Sequence, residues 1–482
     1  MLTLNIDIPE IQAELFELVR MFDSDSFLEN IAIDFFYNKS PNAVTIIISG
    51  KVYTLEKPTF LETEHSFPRK YLVRICKLLL YITLSTHLKK DLPWGALTGI
   101  RPTKKVYEML ESGFSFKEVA EKLEDEYFLS SKKAQLAVEV VENQSDILPK
   151  KSDREQLFNL YVHIPFCPSR CNYCSFVSVP MSKQKKLVGN YVEQLVREIG
   201  FCKKLIAENK QDIFSIYIGG GTPTSLSDGE FEIILSAIGE NFAKVEYTVE
   251  AGRPDTITKE KCNIMKKFGV TRISVNPQSL HNKTLESIGR DHTAEDFFNA
   301  YDLVKKYGFD INVDLIVGLE NETQDDFLHT LNDVVKLNPE NITIHTLCKK
   351  RGSKINSSKS FSSLTRTGDI LSPVTNAFIS EMLNTAIEKL SQSDYSPYYL
   401  YRQKNALENL ENIGFSKSNK QCINNITVME EILSVIAAGA GAISKRIFRQ
   451  DNRIERLANP KDVHCYLNRE TEIITNKEKF FL

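Results

Sequence analysis

The feature that most constrains the fold of this chain is a regular alternation of strand-like and helix-like segments that begins at Leu157. Short runs of branched and aromatic residues are each followed by an amphipathic stretch, six times in succession. The strand-like runs read LYVHI, FSIYIGG, VEYTVEA, RISVN, FDINVDLIVG and NITIHTL. Repeated βα units of this kind predict an α/β fold in which a parallel sheet curls into a partial (β/α)6 barrel. In such folds the catalytic groups gather at the carboxyl ends of the strands.

Two further regions flank the predicted barrel. Residues 1–150 have strand-like runs followed by helical ones, which predicts a separate N-terminal α+β module. Beyond residue 392 the alternation fades, and the stretches PYYLYRQKNALENLENIGF and TVMEEILSVIAAGAGAIS predict a small, partly helical cap. We therefore divide the chain into residues 1–150, 155–391 and 392–482, with a polar linker from Lys150 to Gln156.

The composition limits the classes of protein to which the chain belongs. Its 482 residues carry a net charge of −3, a balance that argues against a protein built to coat nucleic acid or an anionic membrane. The longest apolar run, RKYLVRICKLLLYITLSTHL, contains Arg74 and Lys77, and we expect it to fall short of a membrane span and to form a buried helix. The first residues lack the features of a signal peptide. Six of the nine cysteines are scattered singly, which predicts a reducing cytoplasm rather than a disulfide framework.

The other three cysteines lie close together, directly after the first predicted barrel strand, in the sequence YVHIPFCPSRCNYCSF. Cys167, Cys171 and Cys174 have the spacing C-x3-C-x2-C, which lets one short loop present three thiolates to an iron–sulfur cluster. Three ligands leave one iron open to a ligand from outside the protein. The alternative is a structural zinc site, which requires a fourth ligand, and His163 is the nearest candidate.

Polar residues and glycines follow several of the other strands. Gly219, Gly220 and Gly221 allow a ligand to approach the backbone closely, although a glycine run is also common in tight turns. Asp314 lies within an otherwise apolar strand, where a lone carboxylate is expensive, and this favours a functional role. Glu250 is either a ligand-binding acid or a solvated strand end. His345 is either a functional group or a core histidine.

The cysteine loop, with Tyr173 before its last cysteine, resembles the signature of the radical S-adenosylmethionine (SAM) superfamily. That resemblance implies a 4Fe–4S cluster and SAM as cofactors, with SAM bound to the open iron and cleaved to a 5′-deoxyadenosyl radical after reduction of the cluster. The cofactors would supply the chemistry, and the protein would supply binding and exclusion of water.

A longer series of motifs is more specific. YVHIPFCPSRCNYC, GGGTP, VEA, QSL, GRDHTAEDF, NVDLIVGL and GAGAIS, in this order, resemble the oxygen-independent coproporphyrinogen III oxidases (dehydrogenases). The N-terminal extension with WGALTGIRPTKK, together with PYYLYRQKN, is most similar to the HemZ-type branch. By this resemblance the family's SAM-contacting positions are occupied by Tyr161, Tyr173, Gly220, Gly221, Thr222, Glu250, Gln278, Arg290 and Asp314.

The resemblance implies a reaction in which two propionate side chains of coproporphyrinogen III become vinyl groups, without oxygen, to give protoporphyrinogen IX. The implied partners are a tetrapyrrole substrate and a low-potential electron donor such as flavodoxin or ferredoxin. A substrate with several carboxylates needs cationic groups, for which Arg402 and Lys404 are the candidates. These two residues could equally lie on an ordinary cap surface.

Two departures from the family pattern leave other functions open. The characterised oxidases carry a further cysteine two residues after the third cluster cysteine, where this chain has Phe176, and the N-terminal module replaces their shorter arm. A haem- or porphyrin-binding protein, or another radical SAM reaction on a tetrapyrrole, is therefore the alternative. The HNxxYW motif of the related haem-chaperone branch does not occur in the chain, which argues against a pure haem carrier.

Overall fold

The structure, a computed structural model, describes residues 3–22, 32–38, 43–56, 68–239, 245–348, 377–404, 406–449 and 453–482. Contacts within the chain define two compact units. The described residues of the first unit fall within 3–142, 377–380 and 400–411, and the remainder belong to the second. The predicted cap, residues 392–482, is therefore shared between the two units rather than forming a compact unit of its own.

The first unit contains a four-stranded sheet in the N-terminal region, where the sequence predicted strands before helices. Its strands, in spatial order, are β1 (Thr3–Ile6), β2 (Ala32–Asn38), β3 (Ala43–Ile48) and β4 (Lys51–Glu56). β1 pairs with β2 in parallel, and the other neighbours are antiparallel. Helices α1 (Gln12–Phe22) and α2 (Pro68–Leu88) supply much of the apolar core beside this sheet.

Helix α2 corrects one expectation from the sequence. By length and composition alone, its segment Arg69–Leu88, with a mean hydropathy of 1.2, is long and apolar enough to cross a membrane. By that measure the expectation that this run falls short of a membrane span was wrong. Its side chains at Ile75, Leu79 and Leu84 are fully or almost fully buried among those of α1 and the sheet. The helix therefore contributes to a protein core, as the sequence predicted.

Three further helices complete the first unit: α3 (Thr103–Glu111), α4 (Phe116–Tyr127) and α5 (Ser131–Glu142). A buried polar cluster joins them to the segment 400–411. The Glu411 carboxylate accepts hydrogen bonds from the indole of Trp94, at 2.7 Å, and from the ammonium group of Lys133. Trp94, at the start of the WGALTGIRPTKK motif, thus meets Glu411, six residues beyond the PYYLYRQKN segment, in one interior.

From residue 143 onward the chain forms a large mixed sheet. Its strands are β5 (Leu157–Ile164), β8 (Asp212–Gly220), β9 (Glu246–Glu250), β10 (Arg272–Ser274), β11 (Asp310–Val317), β12 (Asn341–Thr346), β13 (Ser396–Arg402), β14 (Glu411–Ser416), β15 (Ser434–Ala438), β16 (Ile443–Phe448) and β17 (Arg453–Ala458), while β6 (Phe166–Cys167) and β7 (Val179–Pro180) form a separate pair. The order across the sheet is β13-β14-β12-β11-β10-β9-β8-β5-β15-β16-β17.

All six predicted barrel strands are confirmed, and they are parallel neighbours. The intervening and C-terminal helices are α6 (Met181–Gln184), α7 (Val188–Glu208), α8 (Asp228–Ile238), α9 (Lys259–Lys267), α10 (Asn282–Ser287), α11 (Ala294–Lys306), α12 (Gln324–Leu337), α13 (Ala377–Ser391), α14 (Ile423–Met429), α15 (Val463–Leu467) and α16 (Glu470–Phe481). Helices α8, α11 and α12 begin with capping boxes, in which Ser227, Thr293 and Thr323 pair with an acid three residues later. These caps fix where each strand-end loop gives way to a helix.

The region after residue 392 contains more strand than the sequence predicted. β15 lies parallel to β5 and extends the run of parallel strands to seven. The SVIAA segment was predicted as partly helical because its small residues fit either structure, whereas its pairing with β5 depends on contacts that are distant in sequence. β14 pairs antiparallel with β12 at the other side of the barrel sheet.

Candidate active site at the carboxyl ends of the strands

The cysteine loop follows β5 and is fastened to neighbouring loops by hydrogen bonds. The Asn172 backbone N–H donates to the Ile288 carbonyl at 2.8 Å, and the Asn172 side chain donates to the Ser287 carbonyl. The Ser169 hydroxyl accepts a hydrogen bond of 2.9 Å from Arg253. A loop held at these points needs little reorganisation to present its thiols to a ligand.

The three thiols lie near one another and are partly buried. Burial raises the pKa of the Cys167 thiol to about 11, and the neighbouring Cys174 and Cys171 act in the same direction. Burial also raises the pKa of Cys174. Within the described part of the chain no three His, Cys, Asp or Glu side chains are grouped as ligands of a single metal ion.

The glycine run ends β8 at a very close approach of several chain segments. A Cβ atom on Gly219 would lie 2.6 Å from the Glu250 carboxylate, and one on Gly221 would lie 2.5 Å from the Phe166 carbonyl and 3.0 Å from the Cys167 sulfur. Gly220, with φ of +110°, has a conformation that favours glycine. Side chains at these positions would therefore displace both the cysteine loop and the acid on β9.

Glu250 ends β9 and is held by β8. The Tyr217 hydroxyl donates to Glu250 Oε1 at 2.6 Å, and the Gly220 N–H donates to Oε2 at 3.1 Å. Burial raises the pKa of Glu250, and the nearby Asp314 carboxylate adds to the increase, while the two hydrogen bonds oppose it. Glu250 is therefore a fixed acid inside the barrel and not a solvated strand end.

Asp314, on β11, has several polar partners. The side chains of Asn276 and Asn312 each donate to its carboxylate at 2.8 Å, and His345 Nε2 lies 3.6 Å from Oδ2. Burial acts to raise the pKa of Asp314, but the interactions with His345, Asn312 and Thr343 outweigh it and hold the pKa below its usual value. The Asp314 carboxylate is thus kept charged. His345 interacts with it and is not an isolated core histidine.

Gln278 and Arg290 lie beside the end of β10. Gln278 continues the pairing with β11 through its backbone, with φ of +69°, and its side-chain Oε1 is buried with no hydrogen-bond partner in the described chain. The Arg290 guanidinium donates to the backbone carbonyls of Asn276, at 2.9 Å, and Gly252. In this conformation Arg290 joins the loops after β9 and β10 rather than pairing with a carboxylate.

The other predicted cofactor-binding residues lie around the same strand ends. Tyr161, on β5, has its ring centroid 6.2 Å from that of Tyr217. The Thr222 hydroxyl lies 3.6 Å from the Cys167 sulfur as a donor, and Tyr173 lies within the cysteine loop. The second unit therefore brings together the three cysteines and all nine predicted SAM-contacting positions.

Arg402 and Lys404, proposed from the sequence as substrate clamps, belong to the first unit and are engaged there. Arg402 is only 6% exposed, and its guanidinium donates to the backbone carbonyls of Leu97 and Asn409. Lys404 forms an ion pair with Glu17. Arg402 is a buried structural group in this conformation, because the WGALTGIRPTKK segment covers it; that packing could not be inferred from local sequence.

Comparisons with known proteins identify the family. The model of the radical SAM superfamily matches residues 161–334. The oxygen-independent coproporphyrinogen-III oxidase-like protein HemZ of Bacillus subtilis is 38% identical over 402 residues, which are 82% of this chain and 78% of that protein. This chain belongs to the radical SAM superfamily. Within the superfamily it is a member of the HemZ-type branch.

Two other radical SAM proteins bear on the fold and the branch. The coproporphyrinogen III oxidase HemN of Escherichia coli has a similar fold, with a TM-score of 0.51 and 20% identity over 66% of this chain and 70% of HemN. The heme chaperone HemW of Bacillus subtilis is 33% identical over 192 residues, 39% of this chain and 49% of HemW. The chain therefore spans about half of the HemW length in that match.

Radical SAM proteins use a 4Fe–4S cluster and SAM, and these are the cofactors of this family member. The strand-end residues fit both groups. Three thiols on one short loop are the donor set of such a cluster, and binding of iron would displace the protons of Cys167 and Cys174, whose pKa values burial raises. The glycine run lets the cysteine loop and Glu250 approach the end of β8 closely, and the buried Gln278 Oε1 lacks a donor that a bound ligand can supply.

The residues that hold the two strand-end carboxylates and the cysteine loop in position were not predicted from the sequence. Tyr217, Asn276 and Asn312 bind the two carboxylates, and Arg253, which is 3% exposed, binds the cysteine loop. Arg253 lies within the VEAGRPD segment and Asn276 lies two residues before Gln278, so both are next to positions that the motifs indicated. Their positions beside the strand-end motifs were the signal in the sequence that could have identified them.

Proposed function

We propose that this protein is an enzyme of porphyrin metabolism that oxidatively decarboxylates propionate side chains of coproporphyrinogen III to vinyl groups without oxygen. The observation that carries this proposal is the 38% identity to the coproporphyrinogen-III oxidase-like protein HemZ over 82% of the chain. The HemN-like fold and the two barrel carboxylates are consistent with it. A low-potential donor such as flavodoxin or ferredoxin would supply the electron that reduces the cluster.

When bound, the cofactors would supply the radical chemistry that is needed to remove one hydrogen atom from the substrate carbon β to the carboxylate. The residues of the chain would bind the cofactors and orient the ligands at the strand ends. Cys167, Cys171 and Cys174 would hold the iron, while Glu250, fixed by Tyr217 and Gly220, would accept hydrogen bonds from a polar ligand at the strand ends. The charged Asp314 carboxylate can accept hydrogen bonds beside it. The substrate then loses carbon dioxide, and one electron passes to an acceptor.

The test is anaerobic incubation of reconstituted full-length protein with reductant, SAM and coproporphyrinogen III. Mass detection of 5′-deoxyadenosine together with products 46 and 92 mass units lighter, each step being loss of carbon dioxide and two hydrogens, would support the proposal. The matched controls are a Cys171→Ala variant and a reaction without substrate. SAM cleavage without any lighter porphyrin product would contradict decarboxylation while leaving the superfamily chemistry intact.

The second candidate is a protein that binds haem or a porphyrin without decarboxylating it. Phe176 stands where the characterised oxidases have a further cysteine, and its side chain is 65% exposed beside the cluster loop. The similarity to the heme chaperone HemW over 39% of the chain is a second reason to consider it. A saturable haem-dependent absorbance change at stoichiometric protein, without porphyrinogen turnover, would favour this function over the first.

A further inference from the structure

A pocket lies at the amino ends of the barrel strands, away from the candidate active site and its cysteine loop. Phe158, near the start of β5, pairs with Ser434 at the start of β15. The N–H of Ile447, near the end of β16, donates to the Ser434 hydroxyl at 3.1 Å. Because β16 runs antiparallel to β15, its last residues and Arg449 after it reach the amino end of the sheet. The cysteine loop follows the opposite end of β5.

Three arginines line this pocket: Arg154, Arg446 and Arg449. All three are partly buried. Arg154 donates from Nε to the Pro149 carbonyl, Arg446 donates to the Phe480 carbonyl at 2.8 Å, and Arg449 donates to the Ile432 carbonyl. These bonds to neutral backbone groups fix each guanidinium, and in Arg446 and Arg449 the single bond uses only part of the five N–H donors.

The charge of the pocket is not balanced internally. No carboxylate of the described residues lies within ion-pair distance of Arg446 or Arg449, and Glu155 is the acid that lines the pocket. Burial lowers the pKa of Arg449, and the positive charge of Arg154 lowers it further, while the Glu155 carboxylate partly opposes the decrease. Like charges brought together at a partly buried site destabilise the folded protein unless an anion binds between them.

The remaining walls are apolar and aromatic. The pocket has a volume of about 350 Å³ and includes the rings of Phe158 and Phe448. The Phe448 ring lies 4.9 Å from the guanidinium carbon of Arg446 and 3.9 Å from that of Arg453, within cation–π range. This volume is at the small end of the range for ligand pockets, which suits an anion with a few charged groups better than a whole tetrapyrrole.

We infer that this pocket is a binding site for a small polyanion that carries at least two phosphate or carboxylate groups. Planar guanidinium groups bind both kinds of oxyanion through paired hydrogen bonds. Arginines on an ordinary surface point apart into solvent, whereas these three converge on one cavity and have fixed bonds behind them. The site is separate from the cofactor-binding strand ends, and the inference does not depend on the proposed reaction.

The test uses full-length protein and isothermal titration with three probes: pyrophosphate, ATP and citrate. Saturable binding of pyrophosphate or ATP identifies a phosphate ligand, and preferential binding of citrate identifies a carboxylate ligand. In an Arg446→Gln, Arg449→Gln double variant the affinity for that probe should fall about tenfold or more, since each removed pair is a charge-assisted hydrogen bond. Affinity should also weaken as ionic strength rises.

Arg456→Gln is the matched control, because Arg456 lies on the adjacent strand β17, has the same charge and pairs with Glu431 outside the pocket. It should bind the probe within about twofold of the unaltered protein. If the double variant does not fold, Arg154→Gln removes a pocket charge from outside the sheet and should show the same loss. Absence of saturable binding of all three probes at millimolar concentration would overturn the inference, as would binding that the pocket variants leave unchanged.

Discussion

The two ends of the barrel sheet differ in how their charged side chains are paired. At the carboxyl end, Glu250 and Asp314 are partly buried carboxylates, and each accepts hydrogen bonds from nearby groups of the chain. At the amino end, Arg446 and Arg449 line a pocket and donate to backbone carbonyls, with no ion-pair partner among the described residues. The comparison indicates that charges with built-in partners position groups for chemistry, whereas unbalanced charges are available to a ligand from solution.

Removal of one cluster cysteine should have the largest effect on activity, and this effect should be confined to the carboxyl end of the sheet. A Cys171→Ala variant is expected to lose its cluster and SAM cleavage, because two thiolates cannot replace the three-ligand loop. Iron analysis, visible absorbance and 5′-deoxyadenosine detection measure this loss. Cys465→Ala, which alters an exposed cysteine on α15, is the control and should retain iron. Full iron content in Cys171→Ala would refute the assignment of the loop.

A buried ion pair behind the carboxyl end of β15 allows a second test. Lys477 on α16 is fully buried, with Nζ 3.2 Å from Glu198, which also accepts a hydrogen bond from the Gly439 N–H. Lys477→Met leaves Glu198 with an uncompensated buried charge and should lower the free energy of unfolding by about 3–5 kcal/mol. Urea denaturation measures the change.

The exposed Lys479 on the same helix supplies the matched control, Lys479→Met, which should change stability by less than about 0.5 kcal/mol. Equal stability of the two variants would show that the buried pair does not support this end of the sheet.

Glu322, which follows β11, should make the stability of the folded protein depend on pH. Burial raises its pKa from 4.5 to about 8, while the Ser279 hydroxyl donates to it. Because the folded protein binds the proton more tightly than the unfolded chain, this stabilisation is complete below about pH 4.5 and is lost as the pH rises through about 8.

Glu322→Gln removes that titration, since glutamine cannot ionise. Between pH 5 and 9 the unaltered protein should therefore lose roughly 2–4 kcal/mol of stability relative to the variant, at about 1.4 kcal/mol per pKa unit. Denaturant titrations at several pH values measure the difference. Parallel curves for the two proteins over this range would mean that the carboxyl group titrates normally.

The fixed acid Glu250 should matter for the cofactor rather than for folding. Glu250→Gln replaces the charged acceptor of Tyr217 and Gly220 by a neutral one, and SAM affinity or cleavage should fall by about tenfold. Equilibrium binding and single-turnover cleavage separate the two effects. Tyr217→Phe should have a smaller effect in the same direction, since the carboxylate remains. An unchanged SAM affinity and cleavage rate in Glu250→Gln would exclude it as a cofactor contact.

The smallest effect is expected at the basic pocket. Arg449→Gln relieves the repulsion with Arg154 and should raise the stability of the ligand-free protein by about 0.5 kcal/mol or less. Thermal unfolding in low-salt, anion-free buffer measures this shift, which should vanish in high salt. A loss of stability instead would show that Arg449 holds the β16 end in place through its bond to Ile432.

The sequence predicted the parts of this protein that depend on local pattern. The six parallel strands followed from hydrophobic alternation, and the cysteine loop followed from spacing on one short segment. The partners of Glu250 and Asp314 were missed because hydrogen bonds such as that between Asn276 and Asp314 join residues 38 positions apart. The burial of Arg402, the predicted substrate clamp, was missed for the same reason, since its carbonyl partner Leu97 is 305 positions away.

The cluster of Trp94, Lys133 and Glu411 has a consequence for synthesis of the chain. Its acid is separated from its basic partner by 278 positions, so the N-terminal unit cannot close its interior until the ribosome has released residue 411. Lys133 would meanwhile lack the carboxylate that compensates its burial. The first 142 residues are therefore expected to remain incompletely folded and sensitive to proteases while the barrel strands are synthesised.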